Sequence, residues 1–546
     1  MSIDDAGAVT AISEIPSAPG RREGLFLRLL QAGTPLAVVF VVWYFEYELD
    51  RFYVPKELIL HLLAFVGCLI LFRPLVRTPR LRVELFLFAF FILSLVSAGF
   101  ATNIWLALRA LAITGSGIAL FAIGRDMRTK GFARPLLIAV AFSIVLACGT
   151  ALIQAYGVET DFFSINRAPG GTLGNRNSVA HLAAFGFPVV LLCALRAWRP
   201  AGYLGGAIGV VLVTGTLVMT RSRAGWLAFA AALIVVLAAF LLSGPVRRSG
   251  RTWIRLFACI PLAAAGVLAA VQLPNSLDWR SDNPYLESMQ GIANYQEGSG
   301  RGRLVQYRQS LLMSLDHPIL GVGPGNWPVR YPDYAIDGDP SLDPSAAGAT
   351  SNPWPSSDWI AFVAERGFVA SLLLLAAAGL MMAAAFRRVV HTRDADEGLQ
   401  AGALLATVIG TAVAGAFDAV LLLGLPSLLV WLTLGLLYPP DPMPTPDGGR
   451  GRAVGWIMVG LLIVISGVGT IRSGAQLFSM AAYASGNSNW METAATLDPG
   501  DYRLRLRLAG QGDGRSWEDR CRHALTARAL FPNARAARNA ADGCGE

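Results

Sequence analysis

The chain has 546 residues, of which 54% are hydrophobic and 15% are charged, and its formal net charge is +8. A soluble domain of average composition carries about 25% charged residues, so this composition excludes an ordinary soluble protein. Apolar runs of about 18 residues or more, long enough to cross about 30 Å of hydrocarbon, recur along most of the sequence. The sequence therefore predicts an all-α polytopic membrane protein.

Hydropathy predicts about thirteen transmembrane helices, or twelve if the two apolar runs that flank Asp418 form one broken helix. The predicted helix cores are 30–46, 56–72, 83–101, 105–123, 136–156, 179–195, 202–219, 224–242, 255–272, 358–384, 399–417, 419–438 and 453–471. The predicted division is a disordered tail over 1–25, nine helices within 26–272, an outer segment over 273–357, four helices within 358–471 and a second tail over 472–546.

Lysine and arginine concentrate in alternate loops. They cluster before the first helix and in the stretches 73–82, 125–134, 196–199, 247–255, 387–393 and 450–452. Cytoplasmic loops carry such an excess, so we predict a cytoplasmic N-terminus and an outer C-terminus. This topology accounts for much of the net charge, which therefore does not call for a nucleic-acid partner.

Four arginines depart from this pattern, because Arg167, Arg176, Arg221 and Arg223 fall on the outer side. Arg221 and Arg223 lie in the stretch MTRSRAGW, between two apolar runs. Short outer loops avoid Lys and Arg, and charges next to the bilayer are costly and seldom accidental. They either bind an anion or are long side chains that snorkel to the interface.

The outer segment 273–357 is longer than a plain connection. From Arg303 onward its apolar residues recur at helical spacing, which predicts an amphipathic helix on the membrane surface. His317-Pro318 ends that helix, and GVGPGNW makes a tight glycine turn. The D-x-D of DGDP at 337–340 resembles a metal-binding motif, but its Pro/Gly/Asp-rich surroundings favour a turn. We predict no metal and no cofactor.

The tail over 472–546 predicts paired helices. Pro499 and Pro532 occupy matching positions at a spacing close to the tetratricopeptide period of about 34 residues. Two repeats are fewer than such arrays usually need, so the tail is expected to dock on the outer loops or on a partner. Cys521 and Cys544 are candidates for a disulfide, although Cys544 lies at the chain end, where order is low.

Four stretches carry a resemblance to a known family: GTLGNRNSVAHLA, TRSRAGW, GRLVQYRQSLLMSLDHPILGVGPGN and SSDWIAFVAERGFVASLL. Together they resemble the O-antigen ligase family of integral-membrane glycosyltransferases, which also includes polysaccharide polymerases and O-linked oligosaccharyltransferases. The third stretch followed by the fourth is a fairly specific order, whereas any one stretch alone is weak. The resemblance runs from about Gly171 to Pro439.

The resemblance implies a GT-C-like helical fold in the bacterial inner membrane, so that 273–357 and the C-terminal tail are periplasmic. It implies transfer of a glycan from an undecaprenyl-diphosphate carrier to an acceptor hydroxyl, without nucleotide or metal. Arg223 and Arg303 match family arginines thought to bind the donor diphosphate. A planar, always-charged guanidinium suits the charge that builds up on that leaving group. Arg221, Arg301 and Arg176 are further candidates.

One motif departs from the family pattern. A histidine usually stands eleven residues ahead of the glycine that matches Gly367, and here Ser356 occupies that position. The family histidine is regarded as positioning or deprotonating the acceptor hydroxyl. Asp358 is the predicted substitute, with Glu365 second. In the alternative interpretation Ser356 or Ser357 caps the following helix and Asp358 complements its dipole.

The acceptor stays open at this point. Lipid A core as acceptor makes the protein a ligase, another lipid-linked repeat makes it a polymerase of O antigen or exopolysaccharide, and a protein hydroxyl is a third option. We favour the ligase, although a helical tail suits docking to an export assembly. The alternatives from other classes are a transporter of lipid-linked sugars, which tends to show internal repeats and midplane charges, and a non-catalytic scaffold, which the missing histidine favours.

Overall fold

The computed structural model describes residues 20–77, 82–164, 166–279, 281, 283–291, 298–439, 449–510 and 515–544. These residues are mostly helical and contain no strand beyond an isolated bridge between Leu342 and Thr350. The helices up to the outer segment are α1 (Arg21–Val39), α2 (Asp50–Ile70), α3 (Phe72–Arg77), α4 (Arg82–Ala98), α5 (Ile104–Thr129), α6 (Ala133–Ala155), α7 (Arg176–Leu195), α8 (Pro200–Met219), α9 (Arg223–Leu242), α10 (Gly244–Arg248) and α11 (Gly250–Gln272). The others are α12 (Pro284–Gln290), α13 (Gly298–Asp316), α14 (Trp327–Arg330), α15 (Asp358–His391), α16 (Ala395–Phe417), α17 (Gly424–Leu437), α18 (Gly449–Ser485), α19 (Ser488–Leu497), α20 (Tyr502–Ala509), α21 (Trp517–Leu530) and α22 (Arg535–Ala541).

Within the described ranges, 10 helices are long and apolar enough to cross a membrane. They are α2, α5, α6, α7, α8, α9, α11, α15, α16 and the part of α18 from Ala453 to Ser485. The protein is therefore a multi-pass, all-helical membrane protein, as the composition predicts. The remaining three of the thirteen predicted spans correspond to α1, α4 and α17, which fall outside this set; α4 has 17 residues and α17 has 14.

The first predicted span differs most from the structure. Residues 1–19 of the predicted disordered tail lie outside the described residues, but α1 already begins at Arg21 and ends at Val39. The apolar residues that follow do not continue the helix. Val42 and Tyr44 pack instead with Tyr47 and Met480 against the end of α18. Hydropathy alone cannot separate this non-helical run, partly covered by α18, from a membrane-spanning helix, because both are apolar.

The connections between helices gather at two ends of the bundle. One end, which we call the basic end, carries the connections at 130–132, 196–199, 243–249 and 392–394. There, Arg196 pairs with Asp396. The site end carries the connections at 40–49, 99–103, 156–175, 220–222, 273–357 and 418–423. There, Arg51 Nη1 donates to the Asp161 carbonyl oxygen at 2.7 Å and the Ser276 N–H donates to the Ala155 carbonyl oxygen at 2.9 Å.

Helix α15 is broken at Gly367, which has φ 80° and ψ 170°. The chain between α13 and α14 crosses at this break. The N–H groups of Val322 and Gly323 donate to the carbonyl oxygens of Ala364 and Glu365, at 3.0 and 2.9 Å. A side chain at Gly367 would place its Cβ atom 2.2 Å from the Ile319 carbonyl oxygen. Glycine is needed here for both its φ and its lack of a side chain.

Helix α13 lies at the site end with an unusual orientation. Its buried face carries Gln306, Gln309, Ser310, Met313 and Ser314. Its leucines point away from the protein and are 42–65% exposed: Leu304, Leu311, Leu312 and Leu315. The predicted amphipathic helix is present, and its apolar face is the one that the rest of the described chain leaves uncovered.

The tail begins as a continuation of α18, which runs to Ser485, past the predicted boundary at 471. Helices α19–α22 then pack on the loops of the site end. The Tyr47 hydroxyl donates to Asp501 at 2.8 Å and the Asn533 side chain donates to the Val329 carbonyl oxygen at 3.0 Å. Cys521 and Cys544 form a disulfide. The expected docking of the tail on these loops is therefore seen, whereas its repeat character stays a prediction.

Candidate functional site

Helices α7, α9 and α16 pack together in a common register. Gly402 of α16 lies against Ala239 of α9, and Gly410 lies against Ala232; Cβ atoms added to the glycines would be 2.9 and 3.3 Å from those alanine side chains. The two helices are therefore antiparallel. Gly410 also faces Phe185 of α7, whose Cα atom would lie 3.4 Å from the added Cβ. Gly410 thus marks one level at which α7, α9 and α16 are all in contact.

Their ends meet at the site end of the bundle. From that contact α16 continues for eight residues to Asp418, and α7 followed backwards reaches Asn177 over the same number. At about 1.5 Å per residue, both lie about 12 Å from the contact. Gly225 of α9 packs on Ala180 of α7, 2.7 Å from its added Cβ, which brings Arg223 to this level as well. The N-termini of α7 and α9 therefore flank the C-terminus of α16.

Both N-termini at this level favour anions. Asn175 caps α7 and Ser222 caps α9, each with a side-chain oxygen that accepts a backbone N–H of the first turn. Arg176 and Arg223 occupy the first helical positions. A helix N-terminus carries a partial positive charge and unpaired N–H groups, so two adjacent ones with an arginine each form a strongly positive region.

A cavity of about 390 Å³ opens beside these termini. Charged, amide and hydroxyl groups dominate its wall. The lining residues come from the start of α2, from the connection between α6 and α7, from the start of α7, from α13, from the segment before α15 and from the end of α16: Leu49, Tyr53, Arg167, Asn175, Asn177, Gly302, Arg303, Gln306, Pro340, Ser341, Ser351, Asn352, Trp354, Ser356 and Asp418. Two of the predicted site residues, Arg303 and Ser356, thus share one cavity.

Two guanidinium groups of this wall are unpaired. No hydrogen bond or ion pair joins the guanidinium group of Arg303 or of Arg167 to any other residue that the structure describes. Arginine side chains that only support the fold are generally held by carboxylates or carbonyls. These two are free to bind an anion that enters the cavity.

Asp418 is the one carboxylate among the lining residues given above. It ends α16, is half-buried, and its Oδ1 atom accepts the N–H of Ala419 at 2.9 Å. Its Oδ2 atom has no hydrogen-bond partner in the described part of the chain. Helix α13 holds Ser356 close to the end of α16. Its Tyr307 hydroxyl lies 2.6 Å from the Ser356 carbonyl oxygen and 3.0 Å from the Ala416 carbonyl oxygen.

Asp358 does not line the cavity. Its carboxylate is 1% exposed and accepts the N–H groups of Val420 and Leu421, both at 2.9 Å. It therefore holds the turn between α16 and α17 in place. Ser357 caps α15, with Oγ accepting the Ile360 N–H at 3.4 Å. This geometry agrees with the capping interpretation, and both Asp358 oxygens are already occupied.

Glu365 is also engaged in the fold. Its carboxylate is 2% exposed, forms an ion pair with Arg366 at 3.2 Å and accepts the Trp327 N–H at 3.4 Å. Its own carbonyl oxygen accepts the hydroxyl of Ser97 at 3.0 Å. Glu365 thus fastens the glycine turn of 321–325 to the break in α15, at a distance from the cavity wall.

The other predicted arginines have partners, apart from Arg301, which is exposed. Arg223 Nη1 donates to the Gly291 carbonyl oxygen at 2.5 Å. Arg221 Nε donates to the Ser288 hydroxyl at 2.8 Å, and its guanidinium lies 4.7 Å from the Trp279 ring centre. The guanidinium of Arg176 also approaches this ring, 5.7 Å from its centre. The predicted arginines therefore fall into two groups. One group lies near Trp279 and α12 and contains Arg176, Arg221 and Arg223. The other lines the cavity and contains Arg303 and Arg167.

The D-x-D stretch adopts the expected turn. Asp339 accepts the Tyr331 hydroxyl at 2.7 Å and the Ser341 N–H at 2.8 Å. Burial and the nearby Asp339 carboxylate raise the pKa of Tyr331 far above its usual value. Among the described residues, no group of three or more His, Cys, Asp or Glu side chains is placed to hold a metal ion.

Residue-by-residue prediction missed Asp418, Asn177 and Tyr53. A signal for Asp418 exists, because it interrupts two apolar runs that otherwise read as one long hydrophobic stretch. An ionisable residue inside such a stretch is a functional hypothesis by default. Tyr53 and Asn177 have no comparable signal, since each becomes part of the site only when α2 and α7 come together.

The fold defines a multi-pass helical membrane protein with a polar cavity at one end of the bundle, and Arg303, Arg167 and Asp418 line that cavity. Residues 208–384 match a family model described as O-Antigen ligase. This match supports assignment to the O-antigen ligase and polymerase family, as the motifs predict, and members of that family are membrane glycosyltransferases. The matched range contains Arg223, Arg303 and Ser356, whereas Asp418 lies beyond it. A comparison with curated proteins finds no match.

Proposed function

We propose that this protein transfers a glycan from an undecaprenyl-diphosphate carrier to an acceptor hydroxyl at the periplasmic face of the bacterial inner membrane. The observation that carries the proposal is the cavity in which unpaired Arg303 and Arg167 face the one carboxylate of the lining, Asp418. Acceptor activation needs a base, and diphosphate departure needs positive charge. Both are present within one volume, beside the N-termini of α7 and α9.

The donor diphosphate is proposed to bind across the two arginine groups. Arg303 and Arg167 contact it from the cavity, and Arg223, Arg221 and Arg176 from the N-termini of α7 and α9. Forked guanidinium contacts stabilise the charge that develops as the bond from sugar C1 to the phosphate oxygen breaks. In this proposal the arginines carry the neutralisation, and no metal or other cofactor takes part.

Asp418 is proposed to act as the base in place of the family histidine. The acceptor oxygen forms a bond to sugar C1, the acceptor O–H bond breaks, and its proton passes to the Asp418 carboxylate. The lipid diphosphate leaves with the electron pair of the broken C1–O bond. This assignment replaces the predicted role of Asp358, whose oxygens are held by two backbone N–H groups.

Placement of the site end in the periplasm is also a proposal. The basic connections at the other end fit the cytoplasmic side, and the Cys521–Cys544 disulfide in the docked tail fits an oxidising compartment. Alkaline phosphatase fused after residue 546 should be active in a bacterial host. An inactive fusion, with an active one in the connection at 130–132, would reverse this orientation.

The reaction is tested with purified protein and a synthetic undecaprenyl-diphosphate oligosaccharide. Separate reactions contain lipid A core, a second lipid-linked repeat, or a serine-containing peptide. We expect carrier release together with a longer glycan in one of them, and the productive acceptor distinguishes ligase, polymerase and protein-glycosylating enzyme. Movement of the lipid-linked sugar across a vesicle without a product would favour a transporter, and neither outcome would favour a scaffold.

A further inference from the structure

His181 of α7 is a buried histidine without a partner. Its side chain is 1% exposed, and neither ring nitrogen has a hydrogen bond to any residue that the structure describes. Buried polar atoms are nearly always paired, and an unpaired one costs about 1–3 kcal/mol. His61 of α2 shows the ordinary case, because it is equally buried and its Nδ1 atom lies 2.9 Å from the Ser116 hydroxyl.

The helix register places His181 directly below the cavity. It follows the lining residue Asn177 by four positions, so it lies on the same face of α7 and about 6 Å deeper. The register that Gly410 and Phe185 set between antiparallel α7 and α16 puts His181 level with Ala414, one turn below Asp418. The charges of both Asp418 and Arg303 act on the imidazole. The unpaired nitrogens therefore lie one helical turn beneath the cavity carboxylate.

We propose that His181 is the positioning residue behind Asp418 and supplies the imidazole that the family motif lacks at Ser356. This inference rests on the proposed glycosyl transfer. When the acceptor O–H bond breaks, the proton passes to Asp418 and on to a His181 nitrogen through one bridging water. The imidazolium returns the proton to solvent through the cavity after the product leaves. Asp418 is thereby a carboxylate again at the start of each turnover.

Few other charges act at this level. Arg176 lies at the start of the same helix, Arg223 comes from α9 and Arg303 from α13. Helix α16 contributes Asp418, and α15 contributes Asp358, whose carboxylate lies against Gly415 of α16. The ends of α6, α8, α11 and α17 that reach the site end contain no charged residue. A pH dependence that His181→Asn removes is therefore attributable to this histidine and its carboxylate, since the nearby arginines stay charged throughout.

The test compares His181→Asn with His61→Asn, each assayed for transfer with the lipid-linked donor. Asparagine keeps a polar group of similar size but cannot exchange a proton. We expect His181→Asn to lower kcat on the order of 10²-fold with little change in KM for the donor, and to remove one limb of the pH–rate profile. His61→Asn should keep both the rate and the profile. The double variant His181→Asn/Asp418→Asn should be no slower than Asp418→Asn alone.

The outcomes separate this inference from the proposed function. A wild-type protein that releases no carrier with any acceptor contradicts the proposed function itself. An active wild type, combined with a His181→Asn variant of unchanged kcat and pH profile, overturns the role of His181 alone. His181→Gln covers the case in which His181→Asn fails to accumulate. If both fail while His61→Asn accumulates, His181 is a packing residue and the inference is wrong.

Discussion

Arginines at the two ends of the bundle differ in what they contact. At the basic end, Arg128 pairs with Glu397 at 3.2 Å, Arg388 pairs with the same carboxylate, and Arg196 pairs with Asp396. At the site end, the guanidinium groups of Arg303 and Arg167 line a cavity and have no such partner among the residues that the structure describes. Arg109 lies at the site end outside the cavity and is paired with Glu57 at 2.8 Å.

This difference is the basis for proposing that the paired arginines support the fold and that Arg303 and Arg167 bind a ligand. A carboxylate beside an arginine compensates the loss of hydration and fixes the side chain. A guanidinium kept unpaired beside a cavity retains its capacity to bind an anion. Charge count alone cannot make this distinction, because the sequence shows both kinds as arginines in loops.

The largest effect is expected at Asp418. Asp418→Asn removes the proposed base but keeps its size, so the transfer rate should fall on the order of 10²–10⁴-fold with normal accumulation. The matched control is Asp358→Asn, which should lower stability by about 1–3 kcal/mol but leave the rate per folded molecule near that of the wild type. Rates and thermal unfolding of both variants decide between the two carboxylates. Full activity of Asp418→Asn with loss in Asp358→Asn would restore Asp358 as the base.

The next effect concerns the unpaired arginines. Arg303→Ala should lower the transfer rate on the order of 10²–10³-fold, the usual loss when one preorganised donor to a leaving group is removed. Arg303→Lys should recover little, since an ammonium cannot reproduce the planar fork. Arg196→Ala at the basic end should transfer at the wild-type rate. Equal losses in Arg303→Ala and Arg196→Ala would show that pairing does not distinguish the two ends.

Arg223 tests whether the second arginine group also contacts the donor. Its guanidinium already donates to the Gly291 carbonyl oxygen, so Arg223→Ala should lose on the order of 10²-fold in rate and Arg223→Lys should stay impaired. The measurement is transfer at saturating donor by protein that inserts normally. A near wild-type rate in the lysine variant would support snorkelling in place of diphosphate binding.

A stability effect is expected at the crossing of α15 and the glycine turn. Gly367→Ala places a Cβ atom on a backbone conformation that favours glycine and in close contact with the Ile319 carbonyl oxygen. The free energy of unfolding should therefore fall by about 3 kcal/mol or more. Gly379 of the same helix has open space around it, and Gly379→Ala should be neutral or stabilising by about 0.5–1 kcal/mol. Thermal unfolding in detergent measures both. Equal stabilities would contradict the account of the break.

The smallest effect concerns a paired carboxylate outside the cavity. Burial raises the pKa of Asp498 to about 6, against the lowering effect of Arg472 at 2.7 Å. The folded protein thus binds a proton on the Asp498 carboxylate more tightly than the unfolded chain does. Protonated Asp498 therefore contributes about 1–3 kcal/mol to the free energy of unfolding at low pH, and this contribution is lost as pH rises from about 4 to about 6. Asp498→Asn should make the thermal unfolding midpoint less dependent on pH over this range, without changing the transfer rate. An unchanged slope would show that Asp498 does not titrate there.

Much of the architecture follows from local composition. The positions of the ten apolar spanning helices and of the basic connections could be predicted because hydropathy and charge are sums over neighbouring residues, independent of what packs against them. The end of α1 at Val39 could not be predicted in this way, because it depends on the packing of Val42 and Tyr44 against Met480 of α18. The break at Gly367 likewise depends on a chain segment that arrives from α13.

The sequence by itself determined the membrane class and the family resemblance, and through that resemblance it predicted a role for Arg223 and Arg303, because these rest on residue types in a short order. The tertiary structure decided which carboxylate faces the cavity. Asp358 and Asp418 are both acidic residues at helix ends, and the sequence does not show which of the two reaches the cavity. Their difference arises because the turn after α16 folds over Asp358 and occupies its oxygens, whereas Asp418 ends its helix beside α7 and α13, more than a hundred residues away in sequence, with one oxygen left free.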